Sequence, residues 1–361
     1  MEAPTYPSKP IYSTKALALA LGESEQLLRR LAIRANRMYR HVPLEKKGKK
    51  RDTYDAHDHL KRVQRKIVDR ILSKVVFPRY LHGGIRDVSS PRSIHSNAAV
   101  HGGSKFVVLQ DIKNFYPSIS IEHVNSVFRH LFKFGESVAD LLSLISTREG
   151  STPQGASTSG YLANLIFWDV EPQIVKKLND SGFSYSRFAD DITISCRRQP
   201  THDELTHIVS TITGMLASKG CYQKRSKFHL RVRGQSIEDE KGDFHPLTVT
   251  GLSIFNDGPG LTKAERKRIR SAVREVELLS ASSSTWLLVE PTYHKAMGRV
   301  GRLLACGHSD GQVLKARLNA AKKIHQTALL DRYMQNPPIE FSLSLNSPVE
   351  TLIDSTNSDS P

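Results

Sequence analysis

The chain has 361 residues, of which 39% are hydrophobic and 24% charged, a composition typical of a soluble globular protein rather than a disordered or fibrous one. Its 52 Lys and Arg against 36 Asp and Glu give a net charge of +16, which predicts a polyanionic partner, most often nucleic acid. Three widely separated cysteines argue against a disulfide framework, and no apolar run reaches the roughly 18 residues of a membrane-spanning helix. We therefore expect a cytoplasmic protein with no membrane partner.

The first hundred residues are predicted to be mostly helical. Apolar residues at helical spacing predict helices over 15–21, 24–38 and 59–76. A basic run over 46–51 lies between the last two of these. Such a run is usually a solvated turn, but in an enzyme that acts on nucleic acid it can also hold phosphates. A loop rich in Gly, Ser and Pro follows over 82–96.

Short apolar or alternating segments predict the strands of a sheet. Phe106–Leu109 is typical of a buried strand, and it leads directly into Asp111. Alternating residues on both sides of Asp190 and Asp191 predict a hairpin with these two acids at its tip. A helix is predicted to follow over 201–219.

From residue 262 onward the chain is predicted to be helical and basic. Between Thr262 and Tyr333 it has 14 basic and 6 acidic residues, a net charge of +8 that suits contact with a nucleic-acid backbone. The final 26 residues contain no Lys or Arg and four acids, which predicts an acidic, disordered tail. The side chains expected to bind phosphates are Arg266, Lys267, Arg270, Arg274, Arg317, Lys322 and Lys323.

Asp111, Asp190 and Asp191 stand out as candidates for catalysis. An acid next to a buried strand resists burial unless it is paired or binds a metal. Divalent cations prefer carboxylate oxygens, and two ions about 3.5–4 Å apart can stabilise the attacking and leaving oxygens of a phosphoryl transfer. A lone Asp-Asp pair is more often a polar turn. Here, however, a segment of Gly and small polar residues over 152–160, which could approach a nucleotide closely, lies between the acids in the chain.

The order of these segments resembles that of the reverse transcriptases. That family has an Asp followed by an aromatic pair and a Ser, then a Pro-Gln-Gly segment, then an aromatic-x-Asp-Asp box, and this chain has all three in order. The resemblance implies that Asp111, Asp190 and Asp191 are catalytic and bind two Mg²⁺ ions, with Mn²⁺ as an alternative. It also implies that Tyr116 is the steric gate against ribonucleotides and that Gln154 contacts the incoming nucleotide.

Two looser correspondences concern the phosphates of that nucleotide. Lys46, Lys47 and Arg51 match the family's triphosphate-binding segment, although the residues after Arg51 depart from the family pattern. Lys227 keeps the family's spacing after the catalytic hairpin, and the resemblance implies that it is a general acid for the leaving pyrophosphate. Lys224 replaces the family's Asn in the same segment.

Two further motifs resemble those of the bacterial retron reverse transcriptases. The segment from Asn97 to His101 is similar to their Asn-Ala-x-x-His motif, and Val249-Thr250-Gly251 is similar to their Val-Thr-Gly motif. The second motif is implicated in holding the cognate RNA, which implies an RNA-binding role for these three residues. Asn97 and His101 are expected near the RNA or at the edge of the sheet. The alternative is that Asn97 caps a turn and His101 is a structural histidine.

The resemblance implies an α+β right-hand polymerase fold with fingers, an antiparallel-sheet palm and a helical thumb. We expect N-terminal helices and fingers over 1–105 and the palm over 106–255. A fingers-side helix is expected near 155–175, the thumb over 256–335 and the tail over 336–361.

The resemblance also implies the activity, an RNA-directed DNA polymerase that copies part of a cognate structured non-coding RNA from deoxynucleoside triphosphates. Synthesis would start at a guanosine 2′-hydroxyl of that RNA and leave a branched RNA–DNA hybrid, or msDNA. The system would act in antiphage defence together with a separate effector protein. One alternative is a reverse transcriptase of another bacterial group, such as a group II intron protein. Another is an RNA-binding protein with a polymerase fold, against which the three intact aspartates argue.

Overall fold

The computed structural model divides into two compact units. One comprises the residues up to Arg268 together with Gly301–Ser309, and the other comprises Ile269–Val300 together with the residues from Asp310 onward. No helix in the described part of the chain is long and apolar enough to cross a membrane. The residues that the structure describes are 2–46, 48–234, 237–238, 244–245, 247–254, 257–282 and 285–335.

The N-terminal part contains three helices and two small antiparallel hairpins. The helices are α1 (Thr14–Leu21), α2 (Glu25–Arg34) and α3 (Asp58–Arg70). The strands are β1 (Tyr39–His41), β2 (Leu44–Lys46), β3 (Lys49–Arg51) and β4 (Tyr54–Ala56). Strand β1 pairs with β4 and β2 pairs with β3, so the basic run forms a hairpin rather than only a solvated turn. Helix α3 is shorter than predicted, because the backbone leaves helical geometry at Ile71 before a 3₁₀ turn.

A five-stranded sheet forms the centre of the first unit. Its strands are β5 (Leu81–His82), β6 (Phe106–Asp111), β7 (Ser184–Phe188), β8 (Asp191–Cys196) and β9 (His229–Val232). Their order is β5-β7-β8-β6-β9, and all pairs are antiparallel except the two-residue pairing of β5 with β7. The predicted strand before Asp111 and the predicted hairpin around Asp190 and Asp191 are therefore confirmed.

Further helices pack around this sheet, and all but the first of them share one hydrophobic core with α1, α2 and α3. They are α4 (Ile94–Ala99), α5 (Phe115–Ser118), α6 (Ile121–Ser126), α7 (Glu136–Ser146), α8 (Ser159–Leu165), α9 (Glu171–Asp180) and α10 (His202–Ala217). The helix expected near 155–175 is thus two helices. Pro172 lies in the first turn of α9, a position where proline favours a new helix.

The C-terminal part consists of two small hairpins followed by three long helices. Strands β10 (Ile237–Glu238) and β11 (Phe244–His245) form one hairpin, and β12 (Thr248–Val249) and β13 (Leu252–Ser253) form the other. The helices are α11 (Lys263–Ser282), α12 (Trp286–Ala305) and α13 (Asp310–Gln335). The predicted helical character of this region is confirmed. The predicted tail over 336–361 lies outside the described residues.

Candidate active site

Two neighbouring strands of the central sheet bring the three predicted carboxylates together. Asp111 is the last residue of β6 and Asp191 is the first residue of β8, and the two are paired directly across the strands. Asp190 lies in the turn between β7 and β8. Since residues opposed across antiparallel strands have Cα atoms about 4.5–5.5 Å apart, all three carboxyl groups lie at one end of the sheet.

Backbone contacts hold the turn that carries Asp190. The amide of Ala189 donates to the carbonyl of His82 at 3.1 Å, and the amide of Ile112 donates to the carbonyl of Asp190 at 2.9 Å. Ala189 has a φ of 53°, which residues with a side chain rarely adopt. A strained residue persists only where its surroundings fix it, so the turn is held in one conformation.

A buried ion pair lies directly behind this turn. Arg187 and Glu171 have side chains that are 0% and 1% exposed, and Arg187 Nε and Nη2 donate to the Glu171 carboxylate at 2.6 and 2.8 Å. Arg187 also donates to the carbonyls of Ala189 at 3.3 Å and Asn164 at 3.0 Å. The Tyr185 hydroxyl donates to Glu171 at 2.7 Å. One guanidinium thus joins the turn to α8 and α9.

The sequence alone did not predict this ion pair, although it contains a pattern that indicates a buried charge at Arg187. Arg187 follows Phe183 and Tyr185 at alternate positions of the predicted strand, so its side chain had to point to the buried face. A charged side chain on a buried face requires a partner. The partner itself, Glu171, could not be identified from the sequence because several acids lie within reach in the chain.

The carboxylates repel one another. Burial, followed by the charge of Asp111, raises the pKa of Asp190. Burial and then the charges of Asp190 and Asp111 raise the pKa of Asp191 to about 6. Lys227 Nζ contacts Asp111 Oδ2. Burial disfavours its ammonium form, but the hydrogen bond and the charge of Asp111 outweigh that effect and raise the pKa of Lys227. Positive charge is therefore favoured at this end of the sheet.

The donor set fits hard divalent cations. Mg²⁺ usually takes only one or two carboxylates from a protein and completes its shell with water and substrate phosphates. Asp191 is exposed at this end of the sheet, whereas Asp111 is buried. Among the residues that the structure describes, no group of three or more His, Cys, Asp or Glu side chains forms a metal cage. The residue types at this end of the sheet are thus those that such an ion prefers.

The residues predicted to contact the nucleotide lie in two places, Tyr116 near Asp190 and Gln154 beside β4. Tyr116 is half-buried in α5, and burial followed by the charge of Asp190 raises the pKa of its hydroxyl. The carbonyl of Gln154 accepts a hydrogen bond from the Tyr54 amide at 2.8 Å. A Cβ added to Gly155, whose φ is 114°, would lie 2.8 Å from the Tyr54 carbonyl oxygen. Only glycine therefore lets the Pro-Gln-Gly segment lie this close to β4.

The predicted triphosphate-binding residues lie in the β2–β3 hairpin. Arg51 ends β3 and is exposed, and its charge lowers the pKa of both Asp190 and Asp191, opposing the effect of burial. Its guanidinium is therefore close enough to affect the carboxylates. Lys47 and the side chain of Lys46 lie outside the described residues.

Replacing Tyr116 with alanine is expected to admit ribonucleotides. The ring is expected to collide with a 2′-hydroxyl, and steric discrimination of this kind is worth about 1–3 kcal/mol, or about 10- to 100-fold. Competition between the two nucleotide types during primer extension measures the ratio. Tyr116→Phe is the matched control, because it keeps the ring and should keep the selectivity. An unchanged ratio in Tyr116→Ala would mean that another residue is the gate.

The motif residues Asn97 and His101 are fully buried, each 0% exposed. Asn97 lies in α4 and His101 follows it, and their side chains bond to serines of β7 and β8. In this conformation they present no surface to RNA, which favours the structural role. By contrast, Thr250 and Gly251 form the turn between β12 and β13, and Gly251 is exposed.

The predicted phosphate-binding residues of the C-terminal helices form several ion pairs. Arg317 donates to both carboxylate oxygens of Glu277 at 2.7 Å, and Arg270 contacts Asp310. Lys322 lies 5.9 Å from the centre of the Trp286 ring. These pairs lower the positive charge that part of the predicted set offers to a phosphate backbone. The members that remain exposed at the surface are Lys267, Arg270, Arg274, Arg317 and Lys323.

Comparison with known proteins identifies relatives over most of the chain. Residues 44–254 match a family described as reverse transcriptase (RNA-dependent DNA polymerase). Retron Se72 reverse transcriptase of Salmonella heidelberg is 32% identical over 327 residues, which cover 90% of this chain and 83% of that protein. Retron Ec48 reverse transcriptase of Escherichia coli is 29% identical over 355 residues, which cover 92% of this chain and 82% of that protein. Apo telomerase from Candida tropicalis, truncated from its C-terminal domain, aligns with a TM-score of 0.41 and 11% identity over 66% of this chain and 61% of that chain.

Proposed function

Since the chain belongs to the retron reverse transcriptases and is an RNA-directed DNA polymerase, we propose that it copies part of a cognate structured non-coding RNA into DNA. Synthesis starts from a 2′-hydroxyl of that RNA and gives a branched RNA–DNA hybrid. The observation that carries the proposal is the pairing of β6 with β8, which sets Asp111 opposite Asp191 and beside the turn at Asp190. The hybrid acts in antiphage defence together with a separate effector protein, as the retron resemblance suggests.

In this proposal each predicted residue has a task in nucleotide addition. Asp111, Asp190 and Asp191 would hold two Mg²⁺ ions, and the bound ions would supply charge stabilisation to the attacking and leaving oxygens. The ring of Tyr116 excludes a 2′-hydroxyl. Lys227 is protonated at neutral pH, as lysine ordinarily is, and it donates a proton to the leaving pyrophosphate. The Pro-Gln-Gly segment with Gln154 and the hairpin with Lys46, Lys47 and Arg51 contact the deoxynucleoside triphosphate.

RNA binding has two parts in this proposal. Exposed Lys and Arg of the C-terminal helices contact phosphates, which gives affinity that does not depend on sequence and that weakens with salt. The choice of one structured RNA requires contacts to shape, 2′-hydroxyls or unpaired bases. We assign that choice to the turn at Thr250 and Gly251 after the buried Val249, because the turn reaches the surface at Gly251.

The proposal is tested with the nucleic acid that copurifies with the protein. The purified complex should contain one RNA and a DNA complementary to part of it, and sequencing of both should show one fixed start of synthesis. A nuclease that cleaves 2′–5′ branches should release the DNA from the RNA, whereas it should leave ordinary linear DNA unchanged. DNA that carries no RNA branch would contradict the proposed priming. A complex that contains no defined RNA would contradict the cognate RNA.

A further inference from the structure

Two motifs that are 150 residues apart in the chain meet in the structure. The Asn97 amide Nδ2 donates to the Thr250 hydroxyl oxygen at 3.5 Å, and that hydroxyl donates to the carbonyl of Ile94 at 3.1 Å. At the other end of the same hairpin, the amide of Gly103 donates to the carbonyl of Ile254 at 3.0 Å. The segment from α4 to the start of β6 therefore contacts the β12–β13 hairpin at both its turn and its base.

The same segment is bonded to the strands that flank the catalytic turn. Ser186 of β7 donates to Asn97 Oδ1 at 2.7 Å and also pairs with His101 Nε2 at 2.7 Å. His101 Nδ1 pairs with Ser195 of β8 at 2.7 Å, and Ser104 donates to Ser195 at 2.9 Å. Ser186 precedes Asp190 by four residues and Ser195 follows Asp191 by four. The segment is thus hydrogen-bonded to both strands of the hairpin that carries the predicted catalytic acids Asp190 and Asp191.

These contacts form one continuous series of hydrogen bonds from Ser104 to the carbonyl of Ile94, in which each group donates to the next. The hydroxyls of Ser195, Ser186 and Thr250 each donate once and accept once, and that of Ser104 donates at the start, if His101 is neutral and carries its proton on Nε2. Burial, followed by the neighbouring charge of His82, lowers the pKa of His101 to about 3, so the neutral form is the one present at physiological pH. Because this series of hydrogen bonds is continuous, and buried except at the half-buried Thr250, each member fixes the orientation of the next.

The turn formed by Thr250 and Gly251, at the end of this series of hydrogen bonds, has a backbone conformation that requires stabilising contacts. Thr250 has a φ of 48° and Gly251 a φ of 77°, the positive values that a two-residue hairpin turn of type I′ requires at both positions. Glycine adopts this conformation freely, but a β-branched threonine does so rarely. The two contacts of the Thr250 hydroxyl, to Asn97 and to Ile94, hold the threonine in it.

We propose that Asn97 and His101 are positioning residues, through which residues 94–104 hold the β12–β13 hairpin at a fixed place against strands β7 and β8. In this arrangement Asn97 acts on the turn through Thr250 and does not bind RNA itself. A hairpin so fixed presents its turn to RNA at a set position relative to the catalytic carboxylates. The presentation of the turn to RNA rests on the proposed function, whereas the positioning of the hairpin does not.

Hydrogen exchange of the RNA-free protein tests the positioning. Asn97→Ala should increase the exchange rates of the backbone amides over 248–253 by about fivefold or more, because the turn loses a hydrogen bond that supports it. Thr250→Val removes the same bond with little change of shape, so it gives the same test if Asn97→Ala folds poorly. Asn125→Ala is the matched control, because its amide donates to Asp140 at 2.7 Å in α6 and α7 and it should leave these rates unchanged. Unchanged rates in Asn97→Ala and Thr250→Val would overturn the inference.

A double-mutant cycle on RNA binding then separates positioning from direct contact. If Asn97 acts through Thr250, Asn97→Ala combined with Thr250→Val should weaken binding of the copurifying RNA no more than the stronger single variant. Strictly additive losses would show that Asn97 contacts RNA on its own and would overturn the inference. Faster exchange over 248–253 with no loss of RNA binding in any variant would support the positioning role. That same result would contradict the proposed recognition of RNA by the turn.

Discussion

Replacing Asp190 with alanine is expected to lower the rate of deoxynucleotide incorporation by about 10³-fold or more. If this carboxylate holds metal ions as proposed, its loss removes several kcal/mol of charge stabilisation, and about 4 kcal/mol corresponds to that factor. Primer extension on a generic RNA template at saturating Mg²⁺ measures the rate. Normal incorporation by Asp190→Ala would contradict the assignment of the metal site.

The same variant should not be less stable in metal-free buffer. Asp190 lies in a solvent-accessible turn, and its removal relieves the charge repulsion that, after burial, raises the pKa of Asp191. The midpoint of thermal unfolding is therefore expected to stay the same or to increase. Asp203→Ala, which changes an exposed residue in the first turn of α10, is the matched control and should preserve activity. A lower midpoint in Asp190→Ala would attribute its inactivity to misfolding.

Breaking the buried ion pair behind the catalytic turn is expected to have the largest effect on stability. Arg187→Met leaves the carboxylate of Glu171 buried without its partner, which should cost about 3–5 kcal/mol in the free energy of unfolding. Urea denaturation measures this loss. Lys176→Met is the matched control, because the pair of Lys176 with Asp180 is 58% and 62% exposed and should contribute less than about 1 kcal/mol.

A double variant separates stability from positioning. Arg187→Met combined with Glu171→Gln removes both charges but keeps an acceptor for the Tyr185 hydroxyl, so much of the stability should return. Incorporation should nevertheless stay about 10- to 100-fold low, because the carbonyls of Ala189 and Asn164 lose their common donor and a shift of about 1 Å can cost that much. Full activity in the stable double variant would show that the ion pair does not position the turn.

The catalytic end of the sheet could be predicted because its signals are local. The apolar run before Asp111 and the alternation around Asp190 and Asp191 each identify a strand without reference to any distant residue. The structure confirms both strands and sets Asp111 opposite Asp191. The roles expected of these acids came from the order of the motifs, because the same residue types occur in the same order along the chain in the reverse transcriptases.

Lengths and boundaries were less predictable wherever packing competes with propensity. The helix predicted over 59–76 ends at Arg70, and the basic run over 46–51 forms a hairpin. Helix α12 begins at Trp286 and continues through Pro291, a residue type that usually interrupts a helix. In each case the sequence identifies the region, but contacts with other elements decide where the element ends.

The sequence by itself determined the strands next to Asp111, Asp190 and Asp191, the placement of these three acids at the strand ends and the helical character of the C-terminal part, because periodicity and motif spacing are properties of neighbouring residues. Only the tertiary structure decided that Arg187 pairs with Glu171 and that Asn97 meets Thr250. A buried polar group must find a partner, but no local pattern says which residue that partner is. The partner is chosen by the packing of strands and helices that are far apart in the chain.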